Sequence, residues 1–325
     1  MIATIVSAEA SPFAVPQARP LDRAKFRDPL RTAGGDARAH VSLRQLETLW
    51  INTGTLCNLA CKTCYIESSP TNDALVYPTL AEVEAYLDEA EDLGTREIGF
   101  TGGEPFMNPD IVAMMRSALE RGFEVLVLTN AMRPMRRFEE QLDALRTTLG
   151  TRLTMRVSLD HYTQALHEAE RGPNSWAKAV DGCRWLSDHG FRLAVAGRRL
   201  AGESEAAARA GYAGLFVERG LRVDAFDSAA LVLFPEMDEA ADVPEITEGC
   251  WDLLGVSPTL MMCASSRMVI KRKGAPRPVV VACTLIPYDA RFALGETLAG
   301  AHGVVSLNHP HCARFCVLGG ASCSG

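Results

Sequence analysis

Leu49-Trp50-Ile51-Asn52-Thr53 runs through Gly54-Thr55-Leu56 into Cys57-Asn58-Leu59-Ala60-Cys61-Lys62-Thr63-Cys64-Tyr65, and the rest of the chain reads outward from there. The first five residues form a short apolar run ahead of a glycine, the pattern of a buried strand. The loop that follows sets three cysteines at C-x3-C-x2-C and closes on an aromatic. Thiolates this close can grip an iron–sulfur cluster, whose irons are held by cysteine sulfurs. Three ligands on a four-iron cluster leave one iron open to bind and activate something. A zinc knuckle is the rival reading, but structural zinc takes four ligands. The other candidates, His40, His161 and Cys183, are all remote from the motif. Disulfides fit less well, because three cysteines cannot pair among themselves and nothing suggests an oxidising compartment.

Beyond this loop, strand and helix alternate. Thr79–Leu93 has helical spacing, with Thr79 as N-cap and Glu82 completing a capping box. Further strands are expected at Glu97–Thr101, Glu124–Thr129, Arg152–Leu159, Phe191–Ala196 and within Leu221–Phe234. Helices are expected at Asp110–Arg121, Met135–Leu149, Ser175–Asp188 and Glu203–Arg219, several of them closed by glycine. Such alternation signals βαβ units and a parallel sheet. Six units fit an open doubly wound sheet or an incomplete barrel, and both gather ligands at the C-terminal strand ends. Residues 1–45 read as an irregular extension, 46–235 as the α/β region and 236–325 as a smaller cysteine-rich domain.

The strand ends carry the remaining candidate residues. Gly102-Gly103-Glu104-Pro105 leaves the second strand. Two glycines there can mark only a turn, or they can let bare backbone approach a ligand while Glu104 meets a cation or amine. Thr129 and Asn130 end the third strand, where Asn130 can serve simply as a turn residue. Ser158 and Asp160, around the end of the fourth, suit ribose hydroxyls or a ligand amine. Together with the cysteine loop they describe a pocket for a polar, nucleoside-like ligand.

Composition narrows the classes. The chain has 325 residues, 47% hydrophobic and 22% charged, enough for a sizeable core. A net charge of −7 argues against nucleic-acid binding as the main activity. The basic clusters Arg133–Arg137 and Arg267–Lys273 read as solvated loop or hairpin charge. Neither a signal peptide nor a bilayer-spanning run is apparent, so a cytoplasmic protein without membrane partners is expected. Ten cysteines in a reducing compartment then point to metal or redox chemistry. Cys183 falls on an expected helix and reads as a buried inert thiol.

The cysteine motif, Tyr65 in the aromatic position after it, and Gly102-Gly103-Glu104-Pro105 one βα unit later resemble the radical S-adenosylmethionine enzymes. The resemblance covers residues 46–235. It implies a partial (β/α)6 TIM-like barrel in which the open iron of a [4Fe-4S] cluster chelates the methionine end of S-adenosylmethionine. One electron then yields methionine and a 5′-deoxyadenosyl radical that abstracts hydrogen from substrate. By this resemblance Cys57, Cys61 and Cys64 hold the cluster. Gly102, Gly103 and Glu104, followed by Pro105, meet the methionine amino group, and Tyr65 packs near adenine. Ser158 and Asp160 touch the ribose or methionine end, Thr129 and Asn130 line the pocket, and Arg198 either pairs with the methionine carboxylate or is an ordinary arginine. His161, after Asp160, stands where relatives often have a small residue. A flavodoxin or ferredoxin is the implied electron donor.

In the tail, Cys263 and Cys283 bracket an expected β-hairpin, which would bring the two thiols together. With Cys312, Cys316 and Cys323 they resemble the auxiliary-cluster domains called twitch and SPASM. Five cysteines imply one auxiliary [4Fe-4S] cluster, the last three competing for its ligand places, with Cys250 an outside candidate. Structural zinc is the alternative here too, and His311 beside Cys312 is a further candidate ligand. The function expected is an S-adenosylmethionine-dependent oxidoreductase. Its substrate is a small molecule, because residues 1–45 look too short for a peptide-recognition domain. A peptide maturase is the alternative, and a non-catalytic iron–sulfur or zinc scaffold the second.

Overall fold

Six parallel strands frame the cysteine loop. In the computed structural model, which describes residues 11–235 and 238–320, these are β1 (Thr48–Asn52), β2 (Glu97–Thr101), β3 (Glu124–Thr129), β4 (Leu153–Ser158), β5 (Arg192–Arg198) and β6 (Leu231–Phe234). Each pairs parallel with the next. On the other side of β1 the tail adds β7 (Ser266–Ile270), parallel to β1, then β8 (Val279–Val281) and β9 (Ala293–Gly295), both antiparallel. The order β9-β8-β7-β1-β2-β3-β4-β5-β6 leaves two free edges, so the barrel is partial. The cysteine-rich tail thus continues the barrel's own sheet.

Every residue of β1 is buried, as a strand covered on both faces must be. Alternate residues Leu49, Ile51, Ile98, Phe100, Val125 and Val127 face outward into one core with helix residues such as Val83, Leu87, Met114 and Met115. Trp50, Leu126 and Met268 point the other way, into a second core shared with the tail. Gly99 makes room for this arrangement, since a Cβ there would come within 2.4 Å of the Trp50 ring. The tail therefore plugs the barrel interior.

The local signals account for most element boundaries. Thr79 caps the helix Leu80–Asp92, and both bonds of the capping box to Glu82 form. The expected single helix from Met135 is instead Arg133–Arg136 and Glu139–Leu149. Pro134 starts a turn early, and the Phe138 N–H donates to Met135 in a tight turn that interrupts the ladder. The helix Gln164–Arg171 was not expected, and β5 runs on so that Arg198 is its last residue. Residues 11–45 are irregular apart from short pairings, including His40–Val41 against Val305–Ser306. Among the described residues no helix is long and apolar enough to cross a membrane.

Candidate functional site

The cysteine loop leaves β1 zipped to the glycine loop that leaves β2. Gly103 N–H donates to Gly54 O at 2.8 Å and Glu104 N–H to Leu56 O at 3.1 Å. A Cβ on Gly102, which sits at φ +145°, would meet Gly54 O at 2.6 Å, and one on Gly103 would meet Leu56 O at 2.2 Å. These glycines are required first by the close approach of two backbones, although both also line the pocket. The Leu59 N–H points at Cys57 Sγ and the Ser68 N–H at Cys64 Sγ, each at 3.4 Å. Asn130 aims its amide at Cys57 Sγ at 3.9 Å while donating to Asn58 Oδ1 at 2.9 Å.

Cys57, Cys61 and Cys64 all face one cavity at the C-terminal strand ends. Burial pushes the Cys57 thiol up to about 12 and the Cys61 thiol up to about 11. The Cys57 and Cys61 thiols are therefore neutral when metal-free, and their ligation must release protons. Among the described residues, the one trio of His, Cys, Asp or Glu ligand atoms within 4.8 Å of one another is Glu239, His309 and His311. Sulfurs on a single tetrahedral zinc stand roughly 3.8 Å apart, given Zn–S bonds of about 2.3 Å. The three loop sulfurs do not all lie within 4.8 Å of one another, a wider spacing than one tetrahedral zinc gives its sulfurs. As for the Glu239 trio, the His311 N–H donates to His309 Nδ1 at 3.2 Å. That leaves the His309 proton on the Nε2 facing Glu239, the wrong tautomer for a metal ligand.

Tyr65, Thr129, Asn130, Ser158, Asp160 and Arg198 line the same cavity. Glu104 stands behind its wall. The fully buried carboxylate accepts from Thr129 Oγ1 and the Asn130 N–H, both at 2.8 Å, and from Phe106 N–H at 3.2 Å. Burial pushes this carboxyl up to about 7, against the pull of those donors. Pro105 is buried at the start of the short turn Pro105–Met107 and lies outside the lining.

Two ion pairs complete the wall, and neither was expected from the sequence. Arg171 grips Asp160 through Nε at 2.7 Å and Nη2 at 3.1 Å. Burial opposes the Asp160 charge, but the guanidinium holds its carboxyl below the ordinary range. Arg198 lies 3.3 Å from Glu170 and donates to Thr63 Oγ1, with its guanidinium over the Phe13 ring. Glu170 accepts in turn from Thr63 N–H, Thr63 Oγ1 and Ser11 Oγ. The helix Gln164–Arg171 thereby ties the cysteine loop to the N-terminal stretch. His161 is buried, hydrogen-bonded to Thr163, and does not line the cavity.

In the tail, Cys263, Cys283, Cys312 and Cys316 line one small apolar cavity. Cys263 precedes β7, Cys283 follows β8, and Cys312 and Cys316 share one face of the turn Cys312–Val317. Burial pushes the Cys263 thiol up to about 12 and the Cys312 thiol well up. As with the loop, no three of these sulfurs fall within 4.8 Å. Four thiols from three segments match the ligand count of a fully ligated four-iron cluster. Cys250 bonds to Thr247 and lies outside the cavity lining, and Cys323 lies outside the described residues. Cys183 is buried in its helix, as expected. Beside the quartet, the buried Arg267 guanidinium donates, among the described residues, to the carbonyls of Cys263, Ser266, Ala301 and Gly303. Leu285 lines both cavities, and Phe315, between Cys312 and Cys316, lines the larger one.

Comparison with known proteins agrees with this geometry. Residues 51–201 match the sequence profile of the Radical SAM superfamily. The chain is 33% identical over 141 residues to the antilisterial bacteriocin subtilosin biosynthesis protein AlbA of Bacillus subtilis, covering 43% of this chain and 30% of that protein. It is 27% identical over 140 residues to an AdoMet-dependent heme synthase of Nitratidesulfovibrio vulgaris, covering 43% of this chain and 36% of the synthase. The matches therefore span about a third of these relatives' length. In fold it is similar to Streptococcus suis SuiB bound to its precursor peptide SuiA, with TM-score 0.58, 14% identity, and coverage of 81% of this chain and 66% of that one. It is also similar to anSMEcpe with bound AdoMet, with TM-score 0.55, 14% identity, and coverage of 80% and 81% respectively.

Proposed function

We propose that this chain, a member of the radical SAM superfamily, binds S-adenosylmethionine in the strand-end cavity and modifies a peptide. One observation carries the reading: three cysteines at C-x3-C-x2-C share a single cavity with the Gly102–Gly103 loop, Thr129, Asn130 and Ser158. When bound there, a [4Fe-4S] cluster supplies the electron that cleaves S-adenosylmethionine to a 5′-deoxyadenosyl radical. The chain's residues do the positioning. Cys57, Cys61 and Cys64 would hold three irons, and Gly102 and Gly103, which line the cavity, would border the ligand's methionine end. Glu104, behind Thr129 and Asn130, supplies negative charge for its amino group. Tyr65 offers a ring to the adenine. Asp160 is held by Arg171 and acts on the ligand through that pair. The apolar side chains of Phe234, Leu285 and Phe315 exclude water from the facing side. In the tail, Cys263, Cys283, Cys312 and Cys316 would hold the auxiliary [4Fe-4S] cluster, which would supply a one-electron redox centre for substrate oxidation or an anchor for substrate.

We favour a peptide as substrate over the small molecule expected from the short N-terminal stretch. The relative that is 33% identical over 141 residues is a bacteriocin biosynthesis protein, and two relatives in fold were solved with peptides bound. Anaerobic reconstitution is expected to load about eight irons per chain, two clusters of four. Replacing Cys57, Cys61 and Cys64 by Ala should halve that and abolish 5′-deoxyadenosine formation under dithionite. If the unaltered reduced chain makes no more 5′-deoxyadenosine than this variant, the reading is lost. Mass spectrometry of host extract treated with the enzyme, searching peptides and metabolites for mass shifts, separates the two substrate classes.

A further inference from the structure

We infer that the groove outside the cysteine loop is the docking site of a small acidic one-electron carrier, an inference that rests on the function just proposed. The groove is floored by Leu59, Met107 and Met132 and rimmed by Arg133, Arg137 and Lys178. All three cations are exposed. Among the described residues none of them forms an ion pair, and no Asp or Glu lines the groove. The 14-residue helix Ser175–Asp188 also begins at this rim, and its N-terminus adds partial positive charge. On a chain of net charge −7 this is a local reversal of sign. A rim of cations around an apolar floor is complementary to an acidic protein with an apolar contact face.

The floor also lies against the centre that must be reduced. Asn58 and Leu59 directly follow Cys57, and Leu59 lines both the groove and the strand-end cavity. Asn58 reaches the groove through its amide contact to Met132 Sδ at 3.7 Å and accepts from Asn130, whose amide also points at Cys57 Sγ. A carrier seated here faces the cluster across one short layer of side chains. The step is a single electron transfer: the carrier is oxidised by one electron, the cluster on Cys57, Cys61 and Cys64 is reduced by one, and no bond or proton moves.

The test uses the loaded full-length chain with Arg133→Glu, Arg137→Glu and Lys178→Glu combined, and a reduced flavodoxin as probe. Stopped-flow absorbance should show flavodoxin-driven cluster reduction slowed at least about tenfold at low salt. The steep decline with ionic strength expected of the unaltered chain should be lost. Reduction by dithionite should be unchanged. Fluorescence polarisation of labelled oxidised flavodoxin should report weakened binding, and this readout needs no turnover. The single variants Arg133→Gln and Lys178→Gln, which perturb folding least, should give smaller effects in the same direction. Flavodoxin-driven rates within twofold of the unaltered chain would overturn the inference while leaving the proposed function intact. So would loss of binding to an acidic peptide with carrier reduction unaffected. Absence of S-adenosylmethionine cleavage under dithionite in the unaltered chain would instead defeat the function on which the inference rests.

Discussion

Glu104 combines two demands that pull its protonation in opposite directions. It must be buried to organise Thr129 and Asn130, and burial holds its proton up to about 7, above its ordinary value of 4.5. Between those values the folded chain binds more protons than the unfolded one, so this group lowers stability as pH rises through the window. A ligand ammonium favours the carboxylate. Affinity for S-adenosylmethionine should therefore rise as pH passes through 7, and Glu104→Gln should be weaker and flat with pH in equilibrium binding. Asp160 has the opposite sign. Its carboxyl is held low by Arg171, so the stability it confers is present at neutral pH and fades as pH falls through that lowered value. Asp160→Asn leaves Arg171 buried without its carboxylate and should cost about 3–5 kcal/mol in urea denaturation. Replacing both residues by apolar ones should cost less than that.

The glycine loop shows how far the sequence was legible at the scale of elements. Gly102 and Gly103 line the strand-end cavity, but a string of letters cannot tell backbone approaching a ligand from backbone approaching Gly54 and Leu56. Gly103→Ala should shift the cysteine loop and reduce iron bound by Cys57, Cys61 and Cys64, read as iron per chain with the tail centre intact. The capping box at Thr79 was legible because both of its partners are local. Glu170 was not, because its partner Thr63 lies 107 residues away, nor was Arg171, because the helix that carries both buries the polar His167 and Glu170 rather than an apolar stripe. The tail cysteines were visible as a group. The choice of four among them depended on which strand β7 joins, a non-local pairing with β1.

That pairing governs the whole molecule. Because β7 lies against β1 and the tail side chains fill the barrel interior, the barrel and the cysteine-rich segment should unfold together. A chain ending at residue 245 should expose the β1 edge and aggregate rather than leave a folded barrel, as light scattering and circular dichroism would show. Replacing Cys263 and Cys283 by Ser should remove one of two clusters while S-adenosylmethionine cleavage persists. Arg267 bears on the same centre, since a buried guanidinium held by carbonyls gains a counter-charge when the nearby thiolates form. Leu285 has the widest reach. Its side chain borders the larger cavity, while its own N–H points at Cys283 Sγ at 3.4 Å. One residue is thus a shared partition, and a guest that leans on it from one side tugs a sulfur on the other. Occupancy of the strand-end cavity should accordingly be audible in the electron paramagnetic resonance of the tail centre, before any chemistry begins.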